Sequence, residues 1–269
     1  MKYLLLSLVS LLFSSAVNAQ TFSYAPNRYL DLYSAASAKS APLVVMIHGG
    51  GWQSGDKKDM KMWGDTLSSL GYPCVSVQYT LSGEGKYPAA LLDLKEALVF
   101  VKKNAKSWGG DPDKLVLLGF SAGGQLAALL GATWHKELYG KSKVKIGAVI
   151  DMDGILAFIH PDSGEGDDSK RVSAATRWFG YPKSFSTLGW EEASPLRHAS
   201  SFAPPYLFLN SGVKRMQAGQ QEFQAVLRSH GIYTEAHTFP DTPHDFCMRS
   251  PWFTPAVDLA HGFIRKIFH

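Results

Sequence analysis

Lys114-Leu115-Val116-Leu117-Leu118-Gly119-Phe120-Ser121-Ala122-Gly123-Gly124 is a short apolar run that breaks into a serine flanked by glycines and continues into small, helix-compatible residues. Apolar runs of this length bury both faces in parallel sheets. In Gly-x-Ser-x-Gly the serine occupies a sharp strand-to-helix turn, and small residues on either side, here Gly119 and Gly123, let strand and helix approach without collision. Outward from this turn, a second apolar run, Leu43-Val44-Val45-Met46-Ile47, leads into His48-Gly49-Gly50-Gly51-Trp52. Near the far end, Pro240-Asp241-Thr242-Pro243-His244-Asp245 places a histidine in a turn-rich loop.

These residue types share one chemistry. A serine hydroxyl is a weak nucleophile at neutral pH and needs a base beside it to take its proton. Ser121 is the candidate nucleophile and His244 the candidate base, because a loop after a strand can deliver an imidazole over the sheet. The oxyanion formed by attack on a carbonyl then needs donors. Ala122, at the helix N-terminus, offers its backbone N–H, and the glycine run lets the amides of Gly50 and Gly51 point inward. One such donor lowers the barrier by about 3 kcal/mol. Either glycine motif alone is a common loop; their order and the strand before each give them weight. No Lys-Ser or Lys-Thr follows at Walker spacing, and neither run matches Gly-x-Gly-x-x-Gly, which argues against nucleotide binding.

The rest of the chain alternates. Strands are expected near 43–47, 73–79, 114–119, 145–151, 205–210 and 233–239, with a further pair in the first forty residues after residue 19. The clearest helix runs from Pro88 to Lys106, with Leu91, Leu94, Leu98 and Val101 on one face and Gly109-Gly110 beyond its end. Others are expected over Ala122–His135, Gln217–His230 and Pro255–Phe268. This alternation predicts an α/β fold with a mostly parallel central sheet covered by helices on both faces.

At 269 residues, 45% hydrophobic and 19% charged, the chain suffices for one large core and does not require two, so 20–269 is read as a single domain. A net charge of +4 with scattered lysines and arginines argues against nucleic acid as a partner. Residues 1–19 read as a signal peptide: Lys2, the apolar stretch from Leu4 to Phe13, and Val17-Asn18-Ala19 as the cleavage site. No other segment approaches the ~20 apolar residues of a membrane span. Export, to a periplasm or beyond, is the expectation. Two cysteines allow one disulfide, but Cys74 lies in a strand-like run and reads as a buried free thiol.

With its HGGGW loop, GFSAGG elbow and TPHDF histidine loop, the chain resembles α/β-hydrolases of the esterase and lipase branch over nearly all of residues 20–269. Within that branch it is similar to secreted bacterial carbohydrate esterases, which remove acetyl or feruloyl groups from plant cell-wall polysaccharides such as pectin or xylan. The resemblance implies Ser121 as nucleophile, His244 as general base, Gly50, Gly51 and Ala122 as oxyanion donors, an ester-substituted polysaccharide or oligosaccharide as substrate, and no cofactor. It also implies an acid in a Gly-x-x-Asp pattern, where this chain reads Gly212-Val213-Lys214-Arg215.

An arginine cannot accept the imidazole N–H. Asp153, just beyond the strand expected at 145–151, is the preferred substitute, with Asp151 as the alternative and a turn-capping role open to it. Glu222 and Asp241 form a second candidate set, and a Ser-His pair without an acid is the remaining option. Arg215 itself either grips a uronate carboxylate through a bidentate contact or forms a surface ion pair.

His48 is read as bracing the glycine loop, and the remaining histidines have no metal-ligand spacing, so no metal is expected. Trp52 should border the acyl pocket. A long insertion at about 155–203 contains Trp178, Phe179, Tyr181 and Trp190, which either form a sugar-binding platform or pack against the core. Two rival functions stay open: a lipase or peptidase on the same scaffold, and a carbohydrate-binding pseudoenzyme that lost its acid at position 215.

Overall fold

The computed structural model describes residues 19–36, 38–141 and 143–269. The expected signal peptide therefore lies, except for Ala19, outside the described residues. Among those described, no helix is long and apolar enough to cross a membrane.

Eight strands form one sheet: β1 (Gln20–Ala25), β2 (Arg28–Tyr33), β3 (Ala41–Ile47), β4 (Cys74–Val77), β5 (Gly110–Phe120), β6 (Ala148–Met152), β7 (Tyr206–Asn210) and β8 (Thr234–Thr238). Their order is β1-β2-β4-β3-β5-β6-β7-β8; β2 runs antiparallel to both β1 and β4, and the pairs from β4 and β3 through to β7 and β8 are parallel. Each sequence-expected strand is present, and the chain has the α/β-hydrolase fold.

The central strands are apolar on both faces because both are covered. Leu43, Val45 and Ile47 of β3 and Leu115 and Leu117 of β5 enter one core. Val44, Met46, Val116 and Leu118 enter the other, as a period of two demands. The first core is closed by α2 (Ala89–Asn104), α3 (Ala122–Thr133) and α6 (Gln220–Ser229). The second is closed by α1 (Lys61–Ser69) and α7 (Phe253–Phe268). On α2 the stripe Leu91, Leu94, Leu98 and Val101 is buried as its spacing predicts, each side chain worth about 1.5–3 kcal/mol of burial.

Helix α1 escaped the sequence reading because only Trp63 and Leu67 mark its buried face together with two small residues. A signal was available one turn earlier. Asp56 accepts from the Lys58 amide at 2.9 Å while Asp59 accepts from the Asp56 amide at 2.9 Å, a reciprocal cap that opens the preceding turn.

Between β6 and β7 the insertion carries two short helices, α4 (Ala174–Phe179) and α5 (Leu188–Glu192). Trp178, Phe179 and Trp190 are buried, with Phe179 stacked on Trp190 at 4.3 Å and Trp178 on Trp52 at 4.9 Å. Of the two readings of these aromatics, core packing is the one realised; no platform faces solvent from these three rings. Cys74 and Cys247 are both free and buried, and burial pushes both thiols up, away from the reactive thiolate.

Candidate active site

Ser121 joins β5 to α3 with φ 55° and ψ −120°, a region a non-glycine residue occupies only when its surroundings hold it there. Its amide donates to the Met152 carbonyl at 2.8 Å and its carbonyl accepts the Gln125 amide at 3.0 Å. The flanking glycines are required by space. A Cβ on Gly119 would lie 2.0 Å from the Gly123 carbonyl oxygen, and one on Gly123 would lie 2.1 Å from that of Ile47. Strand, helix and the end of β3 thus converge under the serine, whose side chain is lifted at the carboxyl end of the sheet.

The His244 loop, after β8, brings Nε2 to 2.8 Å from Ser121 Oγ. On its other side Nδ1 meets Asp153 Oδ2 at 2.9 Å. The geometry sets the tautomer: Nδ1 donates to the carboxylate, leaving Nε2 to accept from the hydroxyl. Phe120 packs against the imidazole at 5.0 Å between ring centres. Asp153 has no exposed side-chain surface, whereas a third of the His244 side chain is exposed. The second carboxylate oxygen, Oδ1, accepts the Ser211 amide at 2.7 Å, so the buried carboxylate is hydrogen-bonded at both oxygens.

Two aspartates end β6, and they differ. Asp151, inside the strand, points toward α3: Gly124 and Gly154 leave the space, since a Cβ on either would come within 2.3 Å of Oδ1. That oxygen accepts the Gly154 amide at 2.7 Å, while Oδ2 is buried without a partner. Burial pushes the Asp151 carboxyl well above the usual carboxylate range, and the nearby Asp153 adds to the shift. Asp153 lies one residue past the strand end with φ 54°, which turns it toward His244. Asp151 is therefore the turn cap. Glu222 and Asp241 are exposed and neither bonds to His244. Because a carboxylate does face the imidazole, Arg215 does not leave His244 without an acid.

The glycine loop lies against the elbow, a Cβ on Gly49 falling 3.2 Å from that of Ser121. Gly50 and Gly51 have φ 110° and 59°, and the Gly50 carbonyl accepts the amides of Gln53 and Ser54 at 3.2 and 3.1 Å. Among the described residues, no acceptor takes the amides of Gly50, Gly51 or Ala122. His48 is buried, stacks on Tyr79 at 4.3 Å, and pairs its Nδ1 with the Gly49 carbonyl at 2.8 Å; Tyr79 donates to the His48 carbonyl at 2.9 Å. Burial lowers its pKa, consistent with a neutral brace.

Two expected substrate contacts sit differently from their sequence reading. Trp52 is 4% exposed, too little to present a ring face to an acyl group. Its Nε1 donates to Gln125 Oε1 at 3.0 Å, and Gln125 Nε2 donates to the Ala193 carbonyl at 2.8 Å, tying loop, α3 and insertion together. Arg215 pairs with Glu165 of the insertion at 2.7 Å with half its side chain exposed, the surface ion pair of the two alternatives. Sequence reasoning missed Ser211 and Gln125, which act through a backbone amide and a buried side-chain amide and belong to no short motif. Among the described residues no group of three or more His, Cys, Asp or Glu side chains is placed to hold a metal ion.

The chain is 27% identical over 224 residues to the probable carboxylic ester hydrolase LipM of Mycobacterium tuberculosis, covering 77% of this chain and 50% of that protein. It spans about half the length of the first curated relatives it matches. A thermophilic esterase of Thermogutta terrifontis superposes with a TM-score of 0.73 at 21% identity, covering 93% of this chain and 94% of that one. The acetyl ester-xyloside bifunctional hydrolase of Caldicellulosiruptor lactoaceticus gives 0.73 at 19% identity, covering 92% and 96%. These structural likenesses concern the fold. The BD-FAE profile matches residues 30–216, most of the sheet with the glycine loop and the serine elbow, and on that match the chain belongs to the BD-FAE family within the esterase and lipase superfamily.

Proposed function

We propose that this chain is a serine hydrolase of carboxylic esters, exported to the periplasm or beyond, that removes acetyl or feruloyl groups from plant cell-wall polysaccharide. The continuous contact from Ser121 Oγ through His244 to Asp153, at 2.8 and 2.9 Å, carries the reading. Ser121 Oγ attacks the ester carbonyl as His244 Nε2 takes its proton; the amides of Gly50, Gly51 and Ala122 hold the oxyanion, and the alcohol departs with the proton from Nε2. Water then repeats the sequence on the acyl-serine and releases the acid. Asp153 keeps the imidazole in the tautomer this requires and stabilises the imidazolium. The match to LipM, an ester hydrolase by name, supports the reaction, and the acetyl ester-xyloside hydrolase supports a carbohydrate-linked ester.

Turnover of p-nitrophenyl acetate beside longer acyl and feruloyl esters, together with labelling by a serine-reactive fluorophosphonate, tests the proposal. Acetate or feruloyl turnover and a label that vanish in Ser121→Ala are expected. A wild type that neither labels nor turns over any ester would overturn it and return the carbohydrate-binding pseudoenzyme.

A further inference from the structure

A polar cavity of about 490 Å³ lies between the start of α6, the ends of β7 and β8, and the first residues of the insertion. Asn210, Gln217, Gln220, Gln221 and Gln224 line it with five side-chain amides, and Thr238 adds a hydroxyl. Asn210 is 3% and Gln220 7% exposed. Neither makes a side-chain hydrogen bond among the described residues, and neither has a polar atom sealed from solvent without a partner. Their amides therefore reach solvent, and both residues line this cavity. Two amides with no protein partner at one cavity are free to meet a ligand that supplies both donors and acceptors.

The charge pattern restricts that ligand. Asp162 and Glu222 stand at the rim, and His160 lies 3.7 and 3.4 Å from them. Lys214 is the remaining charged lining residue. A strongly anionic ligand would meet two carboxylates, whereas a neutral polyol would meet amides able to donate and accept at once. The walls are firm. A Cβ on Gly219 would come within 2.6 Å of Ala157, and the Leu156 amide donates to the Ala218 carbonyl at 3.1 Å, fixing the insertion to the base of α6.

The cavity adjoins the site described above. Asn210 immediately precedes Ser211, whose amide holds Asp153, and Gln217 Nε2 donates to the Ser211 carbonyl at 3.2 Å. Ser211 thus joins the cavity wall to the acid, and the cavity lies on the β8 side of the serine, with Ser121, Asp153 and His244 outside its lining.

We infer that this cavity is a binding subsite for a neutral glycosyl unit of the substrate chain, held by Asn210 and Gln220. The inference rests on the carbohydrate-ester reading and names where another sugar of the esterified chain would sit. The test uses unesterified xylotetraose, cellotetraose and tetragalacturonate, titrated into wild type, Gln220→Leu and Thr238→Val by calorimetry, with p-nitrophenyl acetate turnover of the wild type measured alongside. Expected are binding of a neutral tetrasaccharide, at least tenfold weaker in both variants at unchanged melting temperature, and at least tenfold weaker binding of tetragalacturonate. Thr238→Val, at an exposed position, keeps the test valid should Gln220→Leu fail to fold. No binding of either neutral sugar, or binding that survives the substitutions, overturns the subsite; so does equal or tighter binding of tetragalacturonate. Ester turnover without sugar binding removes the subsite alone, and sugar binding without turnover of any ester removes the esterase reading alone.

Discussion

β6 and β7 are parallel neighbours whose carboxyl ends finish side by side, about 4.8 Å apart, yet the turns that leave them carry opposite charges. The β6 turn holds Asp153 against His244. The β7 turn holds Arg215 against Glu165, on the insertion. The sequence resemblance implies a carboxylate after β7. Here β7 and the residue after it hold Asp153 through the backbone: the Leu209 carbonyl accepts the Asp153 amide at 3.0 Å and the Ser211 amide donates to its carboxylate at 2.7 Å. The carboxylate that meets Nδ1 comes from the β6 end alone, while residue 215 of the β7 turn faces the insertion.

The largest effects should break the contact at the β6 side. Ser121→Ala is expected to lower ester turnover by about 10⁶-fold, and Asp153→Asn by about 10⁴-fold, because an amide reverses or removes the acceptor that sets the imidazole tautomer. Steady-state kinetics on p-nitrophenyl acetate, read in kcat, checks both. Arg215→Asp added to Asp153→Asn should not restore activity, since residue 215 points toward Glu165 and not toward the imidazole. Recovery above a few per cent would show that the β7 turn still reaches His244.

A smaller effect falls on stability. Trp52 is clamped between Trp178 and Gln125, so Trp52→Ala should cost about 3–5 kcal/mol. Calorimetry should show a melting temperature lower by about 10 °C. A drop of only a degree or two would mean that the ring is free to line the acyl pocket after all.

Much of this was legible in the sequence, and the parts that were not share a cause. Strands β3, β5, β6 and β7 announce themselves because burial on both faces leaves them almost wholly apolar. Ser121 and the glycine loop are local backbone devices, so short motifs contain them. The meeting of His244 with Asp153 could be anticipated from the rule that sites gather at strand carboxyl ends. The choice between Asp151 and Asp153 needs the last strand residue, because alternation sends Asp151 inward and the turn sends Asp153 to the imidazole. Trp52 and Arg215 were harder still. Their partners Trp178 and Glu165 lie in an insertion whose path no periodicity describes.

Asp151 sharpens the contrast between the two carboxylates of the β6 turn. Asp151→Asn should change kcat less than tenfold, since Asp151 touches Gly154 and not the imidazole. Its signature is pH dependence of stability. Burial raises its pKa in the folded chain, so its neutral form favours folding below the unfolded value near 3.9, and stability is lost as pH rises from there toward the folded value. Asparagine does not titrate. The unfolding free energy of Asp151→Asn minus that of wild type, from urea titrations, should therefore grow more positive from pH 4 upward, by at most about 1.4 kcal/mol per pH unit. A flat difference would show that Asp151 ionises as readily folded as unfolded.

The smallest effect belongs to the β7 turn. Arg215 and Glu165 meet at 2.7 Å, with half of the arginine in solvent, and exposed pairs contribute about 0–1 kcal/mol. Arg215→Leu should therefore leave the melting temperature within a few degrees. If the guanidinium is engaged by Glu165, it is not free to select an anionic sugar, and KM for a uronate-bearing ester and for a neutral one should shift by the same factor. Michaelis constants for an acetylated galacturonate oligomer and an acetylated xylo-oligosaccharide decide this. A rise confined to the uronate ester would mean that Arg215 exchanges Glu165 for substrate, and the β7 turn would then be a specificity element beside the β6 acid.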